Sequence, residues 1–223
     1  KRLINTISIA TDQETCGTNL AVEEGGWHVA ESLVIARYQM FSQVYFHKTR
    51  RAFDHHIEGA LKEILNNYGE KSGFFPLPDN EKNLKNYIDF DDWKVYGLLK
   101  EGLGGEHGKA ILERTHDKCV YQTKEVPDEI ELNRFEEVLD TFKNDLSFAD
   151  SSEKSWYKTG KEDILILCDP NEKYEKLEPL SLMSSIVRTM KPIKQKRLYV
   201  KNGLSKTVRE KIINYLFGKE EKK

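Results

Sequence analysis

One long periodic segment constrains the fold of this chain more than any other feature. From Val29 to Leu65, apolar residues recur every three or four positions, no proline interrupts them, and Gly59 is the only glycine. This spacing is typical of an amphipathic helix. The segment therefore predicts either one long helix or two nearly continuous helices, and the preceding pair Gly25–Gly26 predicts a break before it.

Shorter segments predict a mainly helical chain that ends in mixed structure. Helical spacing continues in five further segments: 93–101, 109–115, 131–142, 180–190 and 205–217. Asp91 or Asp92 is the expected cap of the first of these. Extended structure is predicted at three places, 121–124, 163–168 and 197–201, and a loop at 11–19. The expected fold class is mainly α with an α+β C-terminal third, divided into a helical domain at 1–145 and a small α+β subdomain at 146–223.

The net charge of -2 conceals a strong asymmetry along the chain. Residues 125–153 hold ten acidic residues against two basic ones, whereas residues 191–223 hold eleven Lys or Arg against three Glu. A basic C-terminal segment can bind nucleic acid or other anions. The alternative is a solvated face that pairs with the acidic segment, and the charge pattern favours that alternative.

Composition and motifs exclude several classes of protein. No apolar run approaches the roughly 20 residues of a membrane span, and Cys16, Cys119 and Cys168 are too few and too scattered for a disulfide framework or a CxxC site. We expect a cytoplasmic protein without membrane contact. No P-loop, GxGxxG, GxSxG or HExxH motif occurs. Because the chain begins at Lys1 rather than at Met, we expect a processed chain or a piece of a longer protein.

The histidines do not form a metal motif in sequence. His55–His56 follow Asp54, but adjacent residues on a helix point about 100° apart, so we expect them at the surface. His116–Asp117 is the only His-Asp pair, and no earlier histidine on a suitable helix supports it as a metal site. His107 stands among glycines and belongs to no recognisable constellation.

The long helical segment carries cations beside aromatic residues. At about 100° per residue, six side chains fall near one line, with Tyr45 and His47 on its two sides: Arg37, Phe41, Val44, Lys48, Arg51 and His55. Cations in a packed helix need anionic partners, and phosphate suits the planar fork of arginine. The alternative is a surface helix with snorkelling cations, which the spacing alone favours.

The residues of this helix also resemble a known family. The core ESLVIARYQMFSQVYFHK, within residues 31–50, resembles the nucleotide-binding helix of HD-domain phosphohydrolases, in their dNTP triphosphohydrolase branch. Weaker similarity at residues 2–6, 91–93, 114–121 and in the C-terminal third extends the resemblance over nearly the whole chain. The helical domain expected at 1–145 is therefore similar to an HD-superfamily lobe.

The resemblance implies roles for five residues. Arg37 would reach the triphosphate of the substrate, and Tyr45 would pack against its sugar. Phe46 would lie near the sugar, at a position where vertebrate members have glutamine. His47 and Lys48 match positions that bind a regulatory nucleotide between subunits in vertebrate members, which implies a nucleotide ligand and a homo-oligomer.

The resemblance also implies a divalent metal ion that activates water. In relatives its ligands, a His, a His-Asp pair and a distant Asp, precede the segment at which this chain starts. We therefore expect no metal bound to this chain and no activity from it alone. The expected function is the C-terminal portion of a metal-dependent phosphohydrolase acting on (deoxy)nucleoside triphosphates. The alternative is a non-catalytic module on the same scaffold that binds a nucleotide, RNA or a partner subunit.

Overall fold

Helices make up most of the described chain, and the strands between them are short. The computed structural model describes residues 1–11, 17–67, 75–154, 157, 163–168 and 176–218. The helices are α1 (Trp27–Met40), α2 (Lys48–Asn67), α3 (Glu81–Ile88), α4 (Asp92–Lys100), α5 (Gly105–Leu112), α6 (Glu129–Phe142), α7 (Leu180–Met183), α8 (Ser185–Thr189) and α9 (Ser205–Phe217). The strands are β1 (Ile7–Thr11), β2 (Thr18–Glu23), β3 (Lys118–Gln122), β4 (Phe148–Lys154), β5 (Leu165–Cys168), β6 (Lys176–Pro179) and β7 (Ile193–Val200). The mainly α fold with an α+β C-terminal third is confirmed.

The long periodic segment forms two helices rather than one. Helix α1 continues into a π-helical turn at Phe41–Tyr45, in which the Phe46 N–H donates to the Phe41 carbonyl at 2.8 Å. Helix α2 then begins at Lys48. The Thr49 N–H donates to Nδ1 of His47 at 3.3 Å, which satisfies one of the unpaired amides at the start of α2.

The chain divides into two compact units, each built from two chain segments. Unit 1 comprises Lys1–Phe46 and Ser152–Lys194, and unit 2 comprises His47–Ser151 and Gln195–Lys223. The sequential division into two domains at residue 145 stays a prediction.

Unit 1 is built on a four-stranded sheet. The strand order is β1-β2-β5-β6, with β2 and β5 parallel and the other neighbours antiparallel. Its core is formed by six buried residues: Val22, Ala30, Val34, Ile166, Leu180 and Val187. Because these residues come from β2, α1, β5, α7 and α8, the C-terminal strands and short helices pack with α1 in one core.

Unit 2 has two apolar cores. One lies among α2 and α4 and contains Ala60, Ile64, Leu98 and Leu99. The other lies between helices α6 and α9 and the sheet of order β3-β7-β4, and it contains Val120, Phe135, Val138, Leu198, Val200, Val208 and Ile212. Helix α4 begins with the expected cap, because Asp91 accepts a hydrogen bond from the Lys94 N–H at 2.8 Å.

Several boundaries differ from the sequence predictions. Strands β1 and β2 occupy a region in which no strand was predicted, and β2 begins at Thr18, inside the predicted loop. Strand β4 lies in a polar stretch that shows no strand pattern. The cysteine at position 16 lies outside the described residues. None of the described helices has the length and apolar composition needed to cross a membrane.

Candidate functional site

Three of the predicted binding residues meet around one aromatic ring in unit 1. The guanidinium carbon of Arg37 lies 5.7 Å from the centre of the Phe41 ring. The ring centres of Tyr45 and Phe46 lie 5.1 Å and 5.8 Å from the same centre, at interplanar angles of 52° and 51°. We call Arg37, Phe41, Tyr45 and Phe46 the Phe41 cluster. The structure thus brings together the side chains for which the resemblance implies phosphate and sugar contacts.

Arg37 presents its charge at the surface of the last turn of α1. Among the described residues, no carboxylate oxygen lies within 4 Å of its guanidinium nitrogens. The C-terminal end of a helix favours a cation, and the Phe41 ring offers it a second attraction through its π face. A guanidinium carries five N–H donors in a planar fork. Arg37 can therefore bind two oxygens of one phosphate.

Arg51 lies on the line predicted from the sequence but has an anionic partner in the chain. Its Nε lies 3.0 Å and 3.1 Å from the two carboxylate oxygens of Asp150. This hydrogen bond raises the pKa of Arg51 above its ordinary value. The buried Arg197 also lies near Asp150, with its Nη1 3.8 Å from Oδ2. Asp150 is therefore the anionic partner of Arg51 and lies near the second guanidinium, that of Arg197, so Arg51 stabilises unit 2.

His47 and Lys48 lie at the start of α2, in unit 2. The carbonyl of Lys48 accepts a hydrogen bond from the Tyr199 hydroxyl at 2.9 Å, and burial raises the pKa of Tyr199. The Lys48 side chain is exposed, and no carboxylate of the described chain lies within 4 Å of its amino group. The backbone of Lys48 is thus held firmly while its charge stays at the surface. The regulatory role of His47 and Lys48 stays a prediction.

Unit 2 also brings together histidines that are distant in sequence. Nδ1 of His56 lies 3.0 Å from Nδ1 of His107, and the Asp117 N–H donates to Nε2 of His56 at 3.2 Å. Because Nε2 accepts this bond, neutral His56 carries its proton on Nδ1 and donates it to His107. These three residues and His55 line a cavity of about 820 Å³. We call these four residues the histidine cluster.

The surface position predicted for His55–His56 is wrong for His56, which is 6% exposed. Gly59, in the middle of α2, lets the His107 ring approach this helix closely, because a Cβ at that position would lie 2.6 Å from Cδ2 of His107. Burial lowers the pKa of both His55 and His56. The isolated glycine in a helical segment was the sequence signal for this close approach.

The described residues contain no group of three His, Cys, Asp or Glu side chains that could hold a metal ion. The two members of the His-Asp pair contact different neighbours. The His116 ring packs against Phe53 with ring centres 4.6 Å apart, whereas Oδ1 of Asp117 lies 3.7 Å from Nε2 of His56. The residues described in this chain therefore do not fit the divalent metal that the resemblance implies.

The basic C-terminal segment pairs with the acidic segment. Within the described part of the chain, three ion pairs join them: Lys194–Glu153 at 2.8 Å in unit 1, and Lys196–Glu136 at 2.6 Å and Lys211–Asp145 at 3.1 Å in unit 2. The surface pairing that the charge pattern favoured is therefore present. Nucleic-acid binding by this segment stays a prediction.

Two solved structures share the fold of this chain. A hypothetical protein from Aquifex aeolicus matches with a TM-score of 0.69 at 23% identity, covering 95% of this chain and 50% of that one. A phosphohydrolase from Bacteroides thetaiotaomicron matches with a TM-score of 0.61 at 22% identity, covering 90% of this chain and 55% of that one. The chain thus spans about half the length of these two proteins. No curated protein matches the sequence.

A protein-family comparison covers both the Phe41 cluster and the histidine cluster. A family model described as an HD-associated region matches residues 1–122, which is more than half of the 223 residues. The resemblance seen in the sequence is thereby confirmed as a relationship to the HD superfamily. This chain belongs to the HD-associated region family.

Proposed function

We propose that this chain is the C-terminal portion of a metal-dependent HD-superfamily phosphohydrolase that acts on (deoxy)nucleoside triphosphates. Arg37 binds the phosphates, and Tyr45 and Phe46 line the sugar. The family assignment and the shared fold with a phosphohydrolase support this reaction class. The proposal assigns the metal-binding residues to a part of the protein other than this chain. The chain alone then binds nucleotide without hydrolysing it.

The observation that carries the proposal is the composition of the Phe41 cluster. A nucleoside triphosphate joins a polyanion to a flat and partly apolar nucleoside. The cluster joins an arginine that has no carboxylate within 4 Å in the described chain to three aromatic rings. The Tyr45 side chain keeps 41% of its surface exposed. The cluster therefore offers a bidentate cation for phosphate and aromatic surface for the nucleoside.

Titration of the purified chain with each of the four dNTPs tests this site. We expect Arg37→Ala to weaken binding by about 10- to 100-fold, because a hydrogen bond to a charged group contributes about 1.5–3 kcal/mol. Arg37→Lys keeps the charge but loses the fork, so it restores part of the affinity. Arg188→Ala is the matched control, since Arg188 is also an exposed helical arginine of unit 1.

The outcome of this titration decides the proposal directly. Equal affinity in Arg37→Ala and the parent chain would overturn it, as would the lack of any dNTP binding. An equal loss in Arg188→Ala would mean that the arginines act only through net charge. Hydrolysis is then measured on the whole protein with Mg²⁺ or Mn²⁺. If this chain alone hydrolysed dNTPs and Arg37→Ala abolished that hydrolysis, the assignment of the metal-binding residues to another part of the protein would be wrong.

The proposal also gives His47 and Lys48 a separate role in binding a regulatory nucleotide between copies of the protein. The exposed amino group of Lys48, on a backbone held by Tyr199, supports this role. Sedimentation of the whole protein with and without nucleotide tests it. We expect nucleotide to raise the sedimenting mass in the parent and in Lys62→Ala but not in Lys48→Ala. A response that survives Lys48→Ala would exclude this role.

A further inference from the structure

We infer that Phe41 is a positioning residue of the proposed nucleotide site and holds the Arg37 fork in place through its π face. The inference rests on the proposed function of Arg37. Phe41 is the one residue of the cluster that contacts each of the other three. It acts through Arg37 rather than on the reacting atoms.

The Phe41 ring is itself held in place. It packs against the core of unit 1, next to the buried residues that include Val34 and Leu180. Residues on the exposed end of a helix normally sample several rotamers, and an arginine loses up to about 2 kcal/mol of side-chain entropy when it is fixed. A ring anchored in the core removes part of this cost before the ligand arrives. Arg37 is therefore partly preorganised for phosphate.

The π-helical turn supplies the geometry of this cluster. In an α-helix a residue five positions after Phe41 points roughly 140° away from it, at about 100° per residue. The i→i−5 hydrogen bond from the Phe46 N–H to the Phe41 carbonyl instead brings Phe46 back over Phe41. Both Tyr45 and Phe46 thus reach the ring that Arg37 contacts. Such turns are frequent at functional sites.

The contact between Arg37 and Phe41 has a testable electrostatic signature. A cation is attracted by the negative face of an aromatic ring, and fluorine atoms on the ring withdraw that charge with little change of shape. A purely structural role of Phe41 depends on the volume of the ring and not on its fluorination. The two roles therefore predict different responses to the same nearly isosteric change.

The experiment replaces Phe41 by 4-fluoro-, 3,5-difluoro- and 3,4,5-trifluorophenylalanine in the full chain and measures dNTP affinity by calorimetry. We expect the dissociation constant to rise stepwise with fluorination, by about two- to fivefold in total, which corresponds to an exposed cation–π contact. The series repeated in Arg37→Ala serves as the control and should be flat.

Each outcome is informative about one claim. A flat fluorination series in a chain whose binding still depends on Arg37 overturns the role of Phe41 and leaves the nucleotide site in place. The same slope in the Arg37→Ala background also overturns it, because the effect would then not pass through Arg37. If Arg37→Ala has no effect on affinity, the proposed function itself fails. Unchanged thermal midpoints across the series show that folding is not what the measurement reports.

Discussion

The buried hydrogen bonds of His56 predict a stability that depends on pH. Nδ1 of His56 lies 3.0 Å from Nδ1 of His107, and Nε2 of His56 accepts a hydrogen bond from the Asp117 N–H at 3.2 Å, so protonation of Nε2 breaks the bond from Asp117. Burial lowers the pKa of His56 below its ordinary value of 6.5, the carboxylate of Asp117 opposes this change, and the neighbouring His107 adds to it. Burial and His107 also lower the pKa of His55, whose further charged neighbours are Asp117, Glu58 and Lys62.

The direction of this pH dependence follows from the coupling between proton binding and folding. The unfolded chain binds protons more readily than the folded chain, because these histidines have lower pKa values when folded. The contribution of these histidines to the free energy of unfolding is therefore complete above about pH 6.5. It is lost as the pH falls below that value, at up to about 1.4 kcal/mol per pH unit for each proton taken up. His116, whose pKa burial also lowers, acts in the same direction.

Hydrogen exchange in peptides from α2 and α5 measures this loss locally, between about pH 7.5 and pH 5.5 and after correction for intrinsic exchange. His107→Asn keeps an acceptor near the position of Nδ1 but removes the contribution by which His107 lowers the pKa of His55 and His56, so the stability of this variant should fall less steeply with decreasing pH. His107→Ala leaves the buried Nδ1–H of His56 without a partner, and it should be about 1–3 kcal/mol less stable than His107→Asn at pH 7.5. His28→Gln is the control, because His28 is an exposed histidine of unit 1. Protection that stays constant or rises as the pH falls would refute the reasoning.

Two further predictions concern packing and charge in unit 2, and both are measured by urea denaturation. Gly59→Ala should lower the free energy of unfolding by about 1–3 kcal/mol despite the better helix propensity of alanine, because its Cβ would lie 2.6 Å from His107. Gly97→Ala is the control, because the space around Gly97 is open, and it should raise the free energy of unfolding by about 0.5–1 kcal/mol. A Gly59→Ala variant that is more stable than Gly97→Ala would refute the close approach. Asp150→Asn should cost about 3–5 kcal/mol, because it leaves the buried Arg197 without its anion, and a cost below 1 kcal/mol would show that water pairs this charge.

The helices were predictable where their own residues determine them. Apolar spacing identified α6 and α9, and α9 has the predicted bounds Ser205–Phe217. A local cap marked the start of α4, because Asp91 binds an amide three residues later. These signals depend on neighbours within one or two turns, so they are present in the sequence itself.

The strands were less predictable because their pairing is not local. Strand β2 pairs with β5, whose residues lie more than 140 positions later, as in the register of Val22 with Ile166. Strand β1 alternates in burial, but its large apolar residues Ile7 and Ile9 lie on the exposed face while the small residues Ser8 and Ala10 lie on the more buried face, so its sequence does not read as a half-buried strand. Such segments become strands through their partners rather than through their own pattern.

The histidine cluster shows the same limit at a site. His56 and His107 are 51 residues apart and come from different helices. Neither has a neighbouring residue that predicts the contact. The glycine at 59 indicated that something approaches α2 closely, but it did not indicate which side chain. Neither the contact nor the partner was predicted from the sequence, although the isolated glycine was a signal that could have indicated the position.

Two arginines on one predicted line have different surroundings in the structure. A guanidinium in a packed helix needs an anion, because burying it unpaired is costly, whereas the alternative that the spacing alone favoured was a surface helix with snorkelling cations. Arg51 has that anion within the chain, in Asp150. Arg37 instead has an aromatic ring beneath it and, in the described chain, no carboxylate within 4 Å. Because Asp150 occupies the fork of Arg51, we propose Arg37 rather than Arg51 as the cation that binds phosphate.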